Sequence, residues 1–537
     1  MQLSYATVSL RRFRSTRFAL TLLFCLVCLP AFSQDVLTYH NNNSRSGLNN
    51  RETILTTTNV NTASFGKLFT VSVDGLVDAQ PLYLSAVKTA TKGTHNLLIV
   101  ATEHDSLYAF DADNGALIWH ISALKSGETP SDPRNCGQVA PEIGITSTPV
   151  IKRLAGTNGV IYIVAMSKDS SGNYHQRLHA IDAASGSELY KGPINITAKY
   201  KGTGDNTQNG FVVFDPAQYK ERSGLLLLGN TVYLAWGSHC DIRPYTGWVM
   251  GYNATTLAQT TVLNITPNGN EGAIWGAGGG LAADSASNIY FLDANGEFDE
   301  TLNGAGFPNK GDYGNAFIKL TTKGGALAVS DYFEMSNEIS ENSSDTDLGS
   351  GAALVLPALK DAKGTLWQLA VGAGKDNNLY VVNRNNMGKF NSSKNNVYQE
   401  LVGALPGGIW SMPAYFNGRL YYGPVGQPIL QFQFKSAKLT LSPVARTPDA
   451  FGYPGATPSI SSNGTKNPIV WASENTNPAV LHAYNAINLN ELYNSNQAGG
   501  GRDHFGAGNK FIIPTIANGK VYIGTTTGVG VFGLLSK

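Results

Sequence analysis

The sequence predicts an all-β fold, an eight-bladed β-propeller of four-stranded antiparallel blades in which an early strand completes the last blade. Three observations predict it. A strand-and-turn unit recurs along most of the chain. Composition favours short strands and tight turns: among 537 residues there are 59 Gly and 24 Tyr, and only 14% are charged. The final unit stops one strand short, while an unassigned strand pattern sits near the start.

The first unit is the clearest. Ala79-Gln80-Pro81-Leu82 opens it, and Leu97-Leu98-Ile99-Val100 follows. Then come Ser106-Leu107-Tyr108-Ala109-Phe110, the turn Asp111-Ala112-Asp113-Asn114-Gly115, and Ala116-Leu117-Ile118-Trp119. The second runs from Ser147-Thr148-Pro149-Val150 to the turn beginning at Asp182, and the third holds Val232-Tyr233-Leu234 and Val249 to Asn253. Looser copies begin at Gly279, Gly351, Ser411 and Ala456. The last holds Lys520-Val521-Tyr522-Ile523 and Val529-Gly530-Val531-Phe532. Lys67 to Val73 can supply its missing strand, joining the chain ends and removing an exposed sheet edge. One such sheet cannot bury its own faces, so radial stacking is the expected solution. Eight blades fit the length; seven remain if the fourth and fifth copies are misdrawn.

Residues 1–33 read as a signal peptide and 34–537 as one propeller domain. Arg11, Arg12, Arg14 and Arg17 precede a short apolar run, and Ala31-Phe32-Ser33 fits a small-x-small cleavage site. The run is too short to span a membrane comfortably, and no other stretch reads as a span. The expected location is periplasmic or extracellular. Removing the leader takes Cys25 and Cys28 with it and leaves Cys136 and Cys240. In an oxidising compartment these two pair or remain as two buried thiols; a two-cysteine metal site lacks further ligands nearby. Lys plus Arg (39) balances Asp plus Glu (38), so no broad field invites nucleic acid or anionic lipid.

The units resemble the pyrroloquinoline quinone (PQQ) propeller family. Ala109 to Trp119 is similar to that family's tryptophan-docking motif, in which the indole packs on the neighbouring blade. The resemblance implies a quinoprotein alcohol dehydrogenase-like site with PQQ and calcium at one end of the propeller. It implies Asn295, in Phe291-Leu292-Asp293-Ala294-Asn295, and Asp241, near the family's metal-binding glutamate, as calcium ligands. It implies Asp312 as catalytic base and Lys375 as the basic residue touching the quinone. Trp275 or Trp410 could form the cofactor's floor. The chain departs from the family at Asn135-Cys136-Gly137, where an adjacent cysteine pair belongs, and it has no haem-attachment Cys-x-x-Cys-His.

The implied chemistry is two-electron oxidation of an alcohol or sugar, a carboxylate taking the hydroxyl proton. Each candidate also has a plainer role, since acids and amides beside Gly close turns. His239 beside Cys240 is no thiol–imidazole pair, because neighbours on a strand face opposite ways. Asp345 and Asp347, after Glu338 and Glu341, read as a solvated acidic loop that could hold calcium. Arg502, Asp503 and His504 follow three glycines and read as a connection. Two function classes follow: a quinoprotein oxidoreductase, or a non-catalytic propeller that binds an envelope protein or glycan.

Overall fold

In the computed structural model, alternating strands and tight turns form eight antiparallel sheets, each built on four strands taken in chain order. The structure describes residues 1–2, 35–89, 92–154 and 158–536. The expected leader falls outside the described residues from residue 3 onward. The sheets span 82–122, 150–195, 226–264, 282–333, 354–401, 414–451, 459–494 and 515–534, the last completed from the chain's beginning. There Phe65–Ser72 pairs antiparallel with Gly528–Leu534, in a register that sets Val71 opposite Val529. The only α-helix among the described residues is Glu338–Ser343. No described helix is long and apolar enough to cross a membrane.

Each sheet has two apolar faces, and the core lies between neighbouring sheets. The second and third share Tyr162, Leu178, Leu234 and Met250. The seventh and eighth share Trp471, Leu481, Ile516 and Phe532. The first sheet's Tyr83 and Ile99 belong to one cluster with Tyr522 and Val531 of the eighth. A repeated hydrogen bond ties these faces together. An aromatic side chain of one sheet donates to the carbonyl of the alanine that follows the next sheet's Asp or Asn turn. Trp119 Nε1 reaches Ala183 O at 3.0 Å, Tyr421 OH reaches Ala486 O at 2.7 Å, and Tyr522 OH reaches Ala112 O at 3.2 Å. The last of these joins the eighth sheet to the first.

A second N-terminal element was not expected. Residues 36–49 run past the first strand of every sheet, in chain order. Val36 bridges Tyr83, and Leu37 O accepts from Ile151 N at 2.8 Å. Asn43 reaches the third sheet through Leu227 O and the fourth through Ala283 N. Ser44 O, Ser46 O and Gly47 O accept from Val355, Tyr415 and Ile460. Asn49 Nδ2 donates to Ile516 O at 2.9 Å in the eighth sheet. Arg45, fully buried, spreads its guanidinium over Leu281 O, Tyr39 O, Leu225 O and Thr38 Oγ1. His40 lies against Gly47, whose φ of +69° and lack of Cβ admit the ring; a Cβ there would sit 2.3 Å from Nε2.

Candidate functional site

Loops after the inner strands meet around one cavity of about 270 Å³. Asp241, Trp275, Asn295, Lys375 and Trp410 all line it, as does Cys240. Asp241, Asn295 and Lys375 each follow the second strand of their own sheet, whereas Trp275 and Trp410 each precede the first strand of theirs.

Cys240 and Asp241 form a sharp turn, both with positive φ (56° and 55°), held by the Asp241 N–H bond to Ser238 Oγ at 2.8 Å. A disulfide joins Cys240 to Cys136, with Cα atoms 6.3 Å apart, and so anchors this turn to the 131–140 loop. Asp241 Oδ1 accepts from Tyr245 OH at 3.2 Å. Burial raises the Asp241 carboxyl above its ordinary range, with Lys375 pulling the other way.

Asn295 Nδ2 donates to Asp345 Oδ1 at 2.7 Å. Asn295 Oδ1 is buried with no hydrogen-bond partner among the described residues. Lys375 Nζ pairs with Asp345 and lies 2.8 Å from Asp347 Oδ1. Burial weakens the Asp347 acid, an effect Lys375 opposes; Asp347 is 1% exposed. Burial acts to depress Lys375, but Asp347 and Asp345 outweigh it and hold the ammonium above its ordinary range. The acidic segment is solvated only in part: Asp345 is exposed, whereas Glu338, Glu341 and Asp347 are buried and Asp347 faces the cavity.

The indole of Trp275 packs flat on Gly237, where a Cβ would come within 2.7 Å of the ring. Trp410 meets Tyr453 edge-on at 6.0 Å, and Tyr453 in turn meets Phe511. Next to this aromatic run the lining is cationic, with Arg222 lying 4.0 Å over the Phe511 ring. Lys220, Arg222 and Lys510 line the cavity together with Asp78. These four were not singled out in the sequence.

Asp312, the expected base, is placed apart from these residues. It does not line the cavity. Its backbone carbonyl accepts from Asp299 N, and its Oδ1 accepts from Asn268 N at 2.8 Å. It is fully buried in the connection between the second and third strands of the fourth sheet, and burial pushes it up to about 6. Its carboxylate thus ties residue 268, in the connection before the fourth sheet, to the connection after that sheet's second strand. His239 and Arg502 likewise stand apart from the cavity lining, and Arg502 pairs with Asp503 at 2.7 Å.

Neither a protein-family model nor a curated protein matches the chain. Solved structures do. A quinohemoprotein alcohol dehydrogenase from Comamonas testosteroni superposes with a TM-score of 0.59 at 13% identity, over 93% of this chain and 80% of that one. One from Pseudomonas putida gives 0.58 at 13%, over 94% and 81%. A europium-containing methanol dehydrogenase gives 0.60 at 12%, over 93% and 98%. Identities this low speak to architecture, and this chain has the PQQ-type propeller fold of those dehydrogenases.

Proposed function

We propose that the protein is a quinone-dependent oxidoreductase acting on an alcohol or sugar hydroxyl. The observation that carries this reading is the convergence of Asp241, Asn295, Asp345, Asp347 and Lys375 on one cavity with Trp275 and Trp410 beside them. Eight blades closed into a ring frame it. That closure is supported by the bond from Tyr522 to Ala112, by the strand Phe65–Ser72 on the last sheet, and by residues 36–49 visiting every sheet.

The donor set fits a hard cation such as calcium. It offers carboxylate and amide oxygens, with no thiolate or imidazole among the candidates. Asn295 Oδ1 is the clearest vacant acceptor, and Asp241 and Asp345 supply charge. Calcium takes about 6–8 oxygen ligands, so a bound organic molecule and water would complete the set. The aromatic walls suit a planar guest. Bound PQQ would supply the two-electron, hydride-accepting chemistry.

The chain's own residues do the rest. Lys375 is held charged by Asp345 and Asp347, and offers a proton donor to a carbonyl oxygen seated beside it. Asp347 is the proton acceptor in place of Asp312. Its burial makes it a stronger base than a solvated carboxylate, and it faces the cavity. With a quinone bound, Asp347 would take the proton of the substrate hydroxyl and the quinone would supply the acceptor for the hydride from the carbon that bears it, so both electrons leave with that hydride and the substrate becomes a carbonyl. The Cys136–Cys240 bridge supports a location outside the reducing cytoplasm.

The test is reconstitution. The purified protein is given PQQ and calcium, then assayed for bound-quinone absorbance and for dye reduction with a panel of alcohols and sugars. Both signals are expected. Absence of both overturns the oxidoreductase reading and leaves the envelope-binding one.

A further inference from the structure

Where the sixth and seventh sheets meet, three carboxylates surround one imidazole. His482 lies on Val480–Asn485, the third strand of the seventh sheet, and is 2% exposed. Its Nε2 is 2.8 Å from Oε1 of Glu474, which ends the second strand Lys466–Glu474. Its Nδ1 is 3.0 Å from Oε1 of Glu491, which starts the fourth strand Glu491–Asn494. The same Nδ1 is 3.8 Å from Asp449 Oδ2, on the strand Ala445–Phe451 of the sixth sheet. None of these four residues lines the cavity.

A proton on each nitrogen does not satisfy this arrangement. An imidazolium has one N–H at Nε2, spent on Glu474, and one at Nδ1, spent on Glu491. Asp449 Oδ2 faces the same Nδ1 beyond hydrogen-bond range and accepts from Tyr484 OH at 3.0 Å. Among the described residues, no lysine or arginine pairs with any of the three acids. Three carboxylates against one imidazolium leave a net negative charge around a buried ring. The second sheet shows what strand pairing alone requires. His179 stands in Leu178-His179-Ala180 as His482 stands in Leu481-His482-Ala483, on the third strand of its own sheet. It pairs with Glu188 at 2.8 Å, nine residues on, the same spacing as Glu491 from His482. Its Nε2 is buried with no partner among the described residues. One His–Glu pair therefore serves the sheet, and Glu474 and Asp449 are additions made around the seventh sheet's copy.

A divalent ion in place of the Nδ1 proton reaches both acids at once. Four-coordinate zinc, with bonds of about 2.0–2.2 Å, sets its ligands about 3.3 Å apart. The separations of 3.0 and 3.8 Å from Nδ1 lie on either side of that spacing, and the three donor atoms are all within 4.8 Å of one another. Glu474 at Nε2 is the outer carboxylate that fixes the tautomer and ring plane of a ligating histidine. Glu491 is itself held, with Oε1 accepting from Asn494 Nδ2 at 2.9 Å and Oε2 from Gln497 Nε2 at 3.0 Å. We propose that Asp449, His482 and Glu491 form a zinc site that clips the sixth sheet to the seventh, with His482 ligating through Nδ1. Water completes the set on the side of Asp449, whose side chain is 37% exposed. The imidazole selects a transition ion over calcium. The site lies apart from the central cavity and does not rest on the oxidoreductase reading.

Zinc titration of the full chain tests this. The protein is stripped with EDTA, dialysed into excess calcium to compete for all-oxygen sites, and titrated with zinc chloride by calorimetry; melting is followed with and without zinc. Wild type should bind zinc and melt higher in its presence. Asp449→Asn should weaken zinc by about tenfold or more and shrink the rise in Tm, and His482→Gln should abolish both. Asp449 is partly exposed, so its variant decides the matter where His482→Gln fails to fold. No zinc uptake by wild type overturns the site. Uptake that Asp449→Asn leaves unchanged also overturns it, and leaves His482 as a buried imidazolium between carboxylates.

Discussion

Replacing Arg45 by methionine tests whether residues 36–49 hold the sheets together as one unit. The guanidinium is fully buried and bonds Leu281 O at 2.9 Å, Tyr39 O at 2.9 Å, Leu225 O at 3.2 Å and Thr38 Oγ1 at 2.7 Å. Methionine fills similar space and donates nothing. Two backbone carbonyls, Leu281 O and Tyr39 O, lose charged donors, at roughly 1–3 kcal/mol each. Relief of a desolvated cation offsets part of this, leaving a loss of about 2–4 kcal/mol. Unfolding entropy of about 2.1 cal/mol/K per residue over roughly 500 residues converts that loss to a drop of about 2–4 °C in Tm. Hydrogen exchange supplies the sharper readout. The amides of Ile151, Ala283, Val355, Tyr415 and Ile460 donate to residues 37–47 from five different sheets. All five should lose protection together in the variant. A Tm within 0.5 °C of wild type, or lost protection confined to the third and fourth sheets, would refute the idea that this segment acts as one element.

Three further outcomes follow from the same structure. Asp347→Asn should abolish dye reduction while leaving bound-quinone absorbance in place, because the residue is assigned the proton and not the cofactor; retained turnover would remove it from that role. Burial lowers His40 from 6.5 to about 4, so its share of stability is present above pH 6.5 and is lost as pH falls toward 4, on the order of 3 kcal/mol in all. His40→Gln should flatten the pH–stability curve of the protein across that window, and an unchanged slope would contradict the assignment. Cys136→Ser with Cys240→Ser opens a bridge between residues 104 apart, and the loop-closure argument puts the loss at roughly 4–5 kcal/mol. Melting with and without reductant, on wild type and variant, checks it: reductant should lower the wild-type Tm and leave the variant unmoved.

The repeats were legible because each sheet writes the same pattern. Val-Tyr-Ile strands and Asp or Asn turns recur, and Trp119 and Tyr522 do the same inter-sheet job from equivalent faces. The early strand was legible from the missing partner of Val529 to Leu534, and it pairs there as Phe65–Ser72. Residues 36–49 were not legible. Successive members bond successive sheets, so they show neither a period of two nor one of 3.6, and Tyr39-His40-Asn41-Asn42-Asn43-Ser44-Arg45 reads as a polar loop. The cavity was half legible. Asp241, Asn295 and Lys375 follow strands at repeated positions. Asp347 lay in a segment whose acids suggest solvent, and only the fold shows that it is buried. Lys220-Glu221-Arg222 reads as a surface charge run, yet alternation sends its cations to the cavity and its acid to the core. Asp312 follows the same second strand as Asn295, and its sequence neighbours do not tell which of the two reaches the cavity lining.

The most direct measurement is a crystal grown with PQQ and a calcium or europium salt, with anomalous data collected for the metal. A single peak bonded to Asn295 Oδ1 and a carboxylate of Asp241 or Asp345 is expected, with planar density against Trp275 or Trp410. A cavity without metal or planar density in such a crystal, or a metal bound only outside it, would contradict the account.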